Sequence, residues 1–408
     1  MSAFRFVHLS DVHLDAPFAS KNEGVRKLLA GSLRRSFERV VGLAIEERVH
    51  ALLIAGDLFQ KPDPSIAAET FLLGQIRRLR GAGIPVFYAS GNHDPVGWAK
   101  GTRRIEWPEG TTVFADGDPA RHEVRTPDGD LVAWVTGAGH EGPAVEKNLA
   151  ARFPAASGPL PEIALLHASV EGAGSLEAHD RYAPCAPRDL RGKGYDYWAL
   201  GHVHKRGSPL ADPPAHYPGS LLGLDRTETG EKGVLLVEVC RGAGARVEFR
   251  PTAPVLWEEA AVDAAGAATL EALRTLLHTR IVSAGHGEGV LLTIELEGVS
   301  PLKRDLEHGE GAADLAGDLA EETGLAFLAV RTGRLRRAVD RDGARVGPLG
   351  AALDLIAALR EGKEPYDAVL PELARPLPVD AAERDRYLRS LLEGAEEDLV
   401  DRMRRGTP

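Results

Sequence analysis

Short apolar runs, each closing on polar residues, recur through the first 240 positions: Phe4–Ser10, Ala51–Ala55, Pro85–Ser90, Ile163–His167, Tyr197–Leu200 and Gly233–Val239. Runs of this length, rich in Val, Ile, Leu and Tyr, fit strands buried on both faces. Between the first three, the pattern predicts helices over Val25–Arg48 and Ser65–Gly81. The second is punctuated by Pro64 and Ser65 at its start and by Gly81 and Gly83 at its end. A βαβαβ order of this kind predicts an α/β layered domain. Segments from Thr111 to Trp134 and beyond read as antiparallel hairpins.

The texture changes near Arg250, where Arg250-Pro251-Thr252-Ala253-Pro254 reads as an exit linker. Beyond it the pattern gives a helix (Ala268–Arg280), a strand (Val290–Leu296), a helix (Ala312–Glu322) and a strand (Ala326–Arg331), a small α+β domain. From Gly347 helical spacing dominates, over Leu349–Leu359 and Ala381–Leu392, with Pro365, Pro371, Pro376 and Pro378 between them. The expected division is therefore 1–250, 251–340 and 341–408. Four prolines intervene, so the pattern leaves open whether the last two helices pack closely on one another.

Composition narrows the class. The chain has 408 residues and a net charge of −11, from 49 Lys+Arg and 60 Asp+Glu. Residues 1–250 hold 30 basic and 31 acidic side chains; the remainder hold 19 and 29. No basic tail is present, so nucleic-acid binding cannot be argued from bulk charge. No apolar run approaches the roughly 18 residues that cross a bilayer. The N-terminus shows no signal-peptide pattern, and a cytoplasmic protein without membrane contact is expected. Cys185 and Cys240 are the only cysteines, which excludes a disulfide scaffold and a thiolate zinc site.

The candidate chemistry sits where predicted strands end: Asp11-Val12-His13, Gly56-Asp57, Gly91-Asn92-His93-Asp94, His167, and Gly201-His202-Val203-His204. In layered α/β sheets, ligands collect at the carboxyl ends of strands, so clusters distant in sequence can converge. The donors are oxygen and imidazole without sulfur, a set suited to Mn²⁺, Fe²⁺, Zn²⁺ or Mg²⁺. In Asp-x-His and His-x-His both ligands point to one side of extended chain. The glycines before Asp57, Asn92 and His202 permit a sharp turn and close backbone approach. Seven candidate ligands with Asp57 shared give four contacts to each of two ions. With Asp11, Asp57 and one hydroxide, two divalent ions leave about one positive charge, which attracts a phosphodiester without a basic surface.

The order Asp-x-His, Gly-Asp, Gly-Asn-His-Asp, His, Gly-His-x-His resembles the calcineurin-like metallophosphoesterases. Ile54-Ala55-Gly56-Asp57-Leu58-Phe59, Tyr217-Pro218-Gly219-Ser220 and Glu231-Lys232-Gly233 are similar to DNA repair exonucleases of the SbcD type. His179-Asp180-Arg181-Tyr182-Ala183-Pro184-Cys185, Lys193–His202 and Glu228–Gly233 resemble the bacterial YhaO branch. The resemblance implies a layered metallophosphoesterase sandwich followed by a capping domain and a helical segment. One metal would be held by Asp11, His13, Asp57 and His204, the other by Asp57, Asn92, His167 and His202. His93 would protonate the leaving oxygen and Asp94 would orient it. The implied activity is two-metal DNA phosphodiester hydrolysis, with Mn²⁺ as the metal and an SMC-like coiled-coil ATPase as partner; a homodimer is left open. One departure stands out: where these nucleases place a histidine after Gly-Asp-Leu-Phe, this chain has Gln60. A small-molecule phosphodiesterase or phosphatase, or a weakly active metal-bearing scaffold, are the competing readings.

Outside these clusters, His8 is expected in the core, as are Tyr197 and Trp198. His122, His140 and His216 are expected in surface loops. The run Arg331, Arg334, Arg336, Arg337, Arg341 is expected as a solvated strand end paired with Asp340 and Asp342.

Overall fold

The computed structural model describes residues 3–18, 22–95, 105–172, 181–283, 289–337 and 347–364, with Tyr387, Leu392, Ala395, Glu396, Leu399 and Val400. The chain divides into two compact units, Met1–Glu258 with Glu288–Leu291, and Glu259–Gly287 with Leu292–Pro408. Of the expected breaks after 250 and 340, the second lies outside the described residues.

In the first unit, β1 (Phe4–Leu9), α1 (Glu23–Glu46), β2 (Ala51–Ala55), α2 (Ile66–Gly81) and β3 (Val86–Ala89) follow the expected βαβαβ order. Asn22 caps α1 by accepting from Val25 N at 3.2 Å, and Ser65 caps α2 by accepting from Ala68 N at 3.1 Å. Next come β4 (Thr111–Phe114), β5 (Ala120–Arg125), β6 (Leu131–Ala138), β7 (Glu162–His167), the short α3 (Pro187–Leu190) and β8 (Tyr197–Gly201). The unit closes with β9 (Gly207–Leu210), β10 (Ala215–Tyr217), β11 (Gly233–Cys240) and β12 (Gly244–Pro251). Two six-stranded sheets result, ordered β12-β11-β1-β2-β3-β4 and β5-β6-β7-β8-β10-β9.

Their facing sides form one core. Phe4, Phe6, Leu53 and Phe87 from the first sheet meet Val135, Ile163, Leu165 and Tyr197 from the second. The opposite face of β7 and β8 buries Leu166, Trp198 and Leu200 with Phe153, Leu190 and Tyr195. Both faces of these strands are thus covered, which is why they read as continuous apolar runs. The hairpin expectation needs correction. β5 and β6 are antiparallel, but β4 runs parallel to β3, and β6, β7 and β8 run parallel to one another.

A separate three-stranded sheet is formed by β13 (Leu256–Asp263), β14 (Val290–Val299) and β15 (Phe327–Arg336), in that order. Its helices are α4 (Leu270–Ser283), α5 (Lys303–Glu307) and α6 (Gly311–Thr323), and α4 packs on α6. Of the arginine run, Arg331 lies 3.7 Å from Glu259 and Arg334 lies 2.7 Å from Glu297. Arg341, Asp340 and Asp342 lie outside the described residues. α7 (Pro348–Arg360) matches the first C-terminal helix. Its Leu353 clusters with Val400, flanked by Leu349 and Leu399, and Arg360 Nη1 lies 3.3 Å from Glu396. Among the described residues the C-terminal segments thus pack on one another. Most of the expected helix at Ala381–Leu392, including Leu388 and Leu391, lies outside the described residues.

Candidate metal centre

Parallel strands β1, β2 and β3 end side by side in one sheet, and β7 and β8 end side by side in the other. All five motif clusters leave from those carboxyl ends. Three donor groups result: Asp11, His13 and His204; His13, Asp57 and His93; and Asp11, Asp57 and His167. Within each, the donor atoms lie within 4.8 Å of one another.

Asp57 is central. Its Oδ1 accepts from the backbone N of His93 at 2.9 Å, while Oδ2 lies 3.3 Å from His167 Nε2 and 3.9 Å from His13 Nε2. One oxygen thus faces two sets of imidazoles. On one side, His13 Nε2 lies 3.2 Å from His204 Nε2, which lies 3.7 Å from Asp11 Oδ1. On the other, Asn92 Oδ1 lies 3.0 Å from His167 Nε2, and the His202 ring lies 5.2 Å from the His167 ring. Asp11 is fixed by the backbone N of His202, 3.2 Å from each carboxylate oxygen, and by the Ser10 hydroxyl.

Close approach explains the glycines. A Cβ on Gly91 would stand 2.2 Å from Asp57 Oδ1, and one on Gly201 would stand 1.7 Å from the Ala55 carbonyl oxygen. Gly56 combines both needs, with φ of 86° and a would-be Cβ 2.1 Å from His167 Nδ1.

The donor set fits divalent metal. Asp11 and Asp57 are buried, and the ion-pair partners they have among the described residues are imidazoles. Buried carboxylates need compensating positive charge: without a metal a protonated imidazole supplies it, and with one the imidazoles become neutral donors to the ion. Protonation patterns show the strain. Burial lowers the pKa of His167, but the Asp57 carboxylate outweighs it and holds the imidazole up at about 9. Burial takes His13 the other way, down to about 4. Burial works against an ionised Asp57, yet His167, His13 and His93 carry it well below the ordinary carboxylate range.

Asp94 is placed differently from expectation. Its carboxylate accepts from Phe59 N at 3.0 Å and Gly91 N at 2.7 Å, and it pairs with the Tyr88 hydroxyl. Burial, with Asp57 nearby, pushes it up to about 6. It braces the turn that carries Asn92 and His93. Among the described residues the partner of His93 Nδ1 is Gln60, through its carbonyl oxygen at 3.3 Å and its side-chain amide at 3.2 Å.

Other histidines divide. His8 is fully buried between the Tyr197 hydroxyl and the Leu200 carbonyl, both at 3.1 Å, as its strand position implies. His122 is exposed as expected, but it lies on strand β5 and not in a loop. His140 is not a surface residue: it is buried, with Nε2 2.8 Å from the His167 carbonyl oxygen. His216 is half-buried in β10 and stacks on Tyr197 at 5.4 Å. Sequence reasoning also passed over Glu228, whose Oε1 lies 2.7 Å from His204 Nδ1. The Glu228–Gly233 motif was its signal; its role was not readable, because Glu228 acts on a candidate ligand and not on an ion.

Comparison with known proteins agrees with this geometry. Residues 4–206 match the family model described as calcineurin-like phosphoesterase. The uncharacterized metallophosphoesterase YhaO of Bacillus subtilis (strain 168) is 35% identical over 303 residues, 72% of each chain. The DNA double-strand break repair protein Mre11 of Methanopyrus kandleri is 27% identical over 426 residues, spanning 97% of this chain and 85% of the relative. A nuclease SbcCD subunit from Rhodobacter capsulatus is 28% identical over 250 residues, 50% of this chain and 60% of the relative. Motif order, the twin sheets ending on one pocket of oxygen and imidazole donors, and matches of this extent establish that the chain belongs to the calcineurin-like phosphoesterases.

Proposed function

We propose that this phosphoesterase is a DNA nuclease using two Mn²⁺ ions, one held by Asp11, His13, Asp57 and His204 and the other by Asp57, Asn92, His167 and His202. The observation that carries the two-ion reading is Asp57 Oδ2, facing imidazoles of both sets at 3.3 and 3.9 Å. The DNA reading rests on the alignment to Mre11, which runs through almost the whole chain. The motif resemblance extends the proposal to a cytoplasmic complex with an SMC-like ATPase.

When bound, divalent ions of such a site activate water and neutralise phosphate charge. The chain's own residues do the rest. Asp57 is held from one side by the His93 backbone N, leaving its second oxygen between the two imidazole sets. Asn92 brings a neutral carbonyl oxygen beside His167 and adds no negative charge near an incoming phosphodiester. Gln60 orients the His93 ring at Nδ1, which accepts from the Gln60 side-chain amide when unprotonated and donates to its carbonyl oxygen when protonated. In the imidazolium, Nδ1–H donates to the Gln60 carbonyl oxygen, and Nε2 carries the proton that passes to the departing oxygen. Asp94 contributes by holding the Gly91–Asp94 turn, and so the height of His93 above Asp57.

Purified full-length chain, assayed with Mn²⁺ on linear duplex DNA, single-stranded DNA and a bis-aryl phosphate, tests the proposal. Expected is metal-dependent cleavage of DNA that a chelator abolishes. Hydrolysis of the ester with intact DNA would replace the nuclease reading by a small-ester phosphodiesterase. No turnover of either, with metal bound, would favour the scaffold reading that Gln60 motivates.

A further inference from the structure

The ring nitrogens of the candidate ligands are held in unequal ways. His167 Nδ1 lies 2.9 Å from the Ala55 carbonyl oxygen, a neutral acceptor. His13 Nδ1 is buried with no hydrogen-bond partner among the described residues. His204 Nδ1 alone of these three faces a carboxylate, Glu228, at 2.7 Å. Glu228 is itself pinned. Its Oε2 accepts from the Ser220 hydroxyl at 2.6 Å and from Leu224 N at 3.3 Å, and Lys232 Nζ lies 3.6 Å away. Lys232 also donates to the His204 carbonyl oxygen at 3.2 Å, closing the network on the residue that Glu228 orients.

We infer that Glu228 is a positioning residue that selectively strengthens metal binding at the His13–His204 position. A carboxylate on Nδ1 keeps the proton there, so Nε2 presents its lone pair towards His13 and Asp11. The negative charge also makes the imidazole a stronger donor to a cation. A carbonyl oxygen fixes the tautomer of His167 without that charge, and among the described residues nothing comparable orients His13. Glu228 therefore acts on one of the two metal positions and, among the described residues, touches no candidate ligand of the other. Because this rests on the two-metal reading, the test is set up to separate failure of one from failure of the other.

Mn²⁺ binding to the metal-free full-length protein is measured by titration calorimetry and by electron paramagnetic resonance, alongside Glu228→Ala and Glu228→Gln. The unaltered protein is expected to bind two ions per chain. Glu228→Ala should weaken one of the two by ~10–100-fold, the usual loss when such a partner is removed, and leave the other within about twofold. Glu228→Gln keeps an acceptor for Nδ1–H without the charge, so its loss at the same position should be smaller than that of Glu228→Ala. Undiminished affinity at both positions in Glu228→Ala, or equal losses at both, would overturn the inference while the two-metal reading stood. A parent protein that binds no divalent ion would overturn both. Should Glu228→Ala fail to fold, Glu228→Gln with one weakened ion still supports the inference, and Glu228→Gln with two unaltered ions rejects it.

Discussion

Asp11, His13, Asp57 and His202 adopt positive φ, at 50°, 52°, 50° and 106°. L-residues in these regions carry strain of roughly 1–3 kcal/mol each, and such strain concentrates at functional sites. Strand-end turns impose it here to bring several donors to one point. Asp57 tests the arrangement most directly. Asp57→Ala removes the oxygen facing both imidazole sets, so elemental analysis should show both ions lost together. Two retained ions would end its bridging role. His93→Ala removes a proton donor and should leave metal content intact while the rate falls ~10²–10⁴-fold. Loss of metal in that variant would make His93 a ligand, as its grouping with His13 and Asp57 permits. The sequence made these residues legible because each carries chemistry in a short motif. Glu228, His140 and the contacts of Asp94 were not legible: they act through the ring or backbone of another residue, and partners brought together by folding leave no local pattern.

Secondary structure was legible where burial is two-sided. β1, β2, β3, β7, β8 and β11 all correspond to continuous apolar runs, and the capping signals at Ser65 agree with α2. Direction was less legible, since a parallel partner such as β4 for β3 is set by the returning chain and not by its own residues. β12 was overlooked although Ala245, Val247 and Phe249 alternate inward, because glycines and arginines dilute the pattern. Within β1, His8 gives a test at the level of the strand. Burial, aided by His216, lowers it from 6.5 to about 3. A depressed folded pKa contributes stability above the unfolded value, and that contribution is lost as pH falls from 6.5 towards 3. At about 1.4 kcal/mol per pH unit, the loss is on the order of a few kcal/mol. Urea midpoints should therefore fall between pH 7 and pH 4, and less steeply in His8→Gln. An unchanged slope in that variant would assign the acid sensitivity to other groups, with His140, lowered by burial to about 3, first among them.

Charge and chemistry are partitioned along the whole chain. Every candidate ligand lies in the first compact unit, whereas residues 251–408 carry 29 acidic against 19 basic side chains. Metal binding should therefore act on the two units differently. An ion that binds only the folded state stabilises it by RT ln(1 + [L]/Kd), about 2.7 kcal/mol at a hundredfold excess over Kd. For a unit of this size each kcal/mol raises the melting temperature by roughly 2–4 °C, so one ion at that excess should shift the first unit by about 5–11 °C. The second unit, with its core of Leu273, Leu277 and Ile281 from α4 and Leu315 and Leu319 from α6, offers no ligand from this set and should not move. Calorimetric scans of the full chain, with Mn²⁺ and with chelator, should resolve one metal-sensitive and one metal-insensitive transition. The Asp57→Ala variant should abolish the difference between the two scans. If both transitions rose together with Mn²⁺, the second unit would have to bind metal itself or unfold only with the first, and confinement of metal stabilisation to the first unit would be rejected.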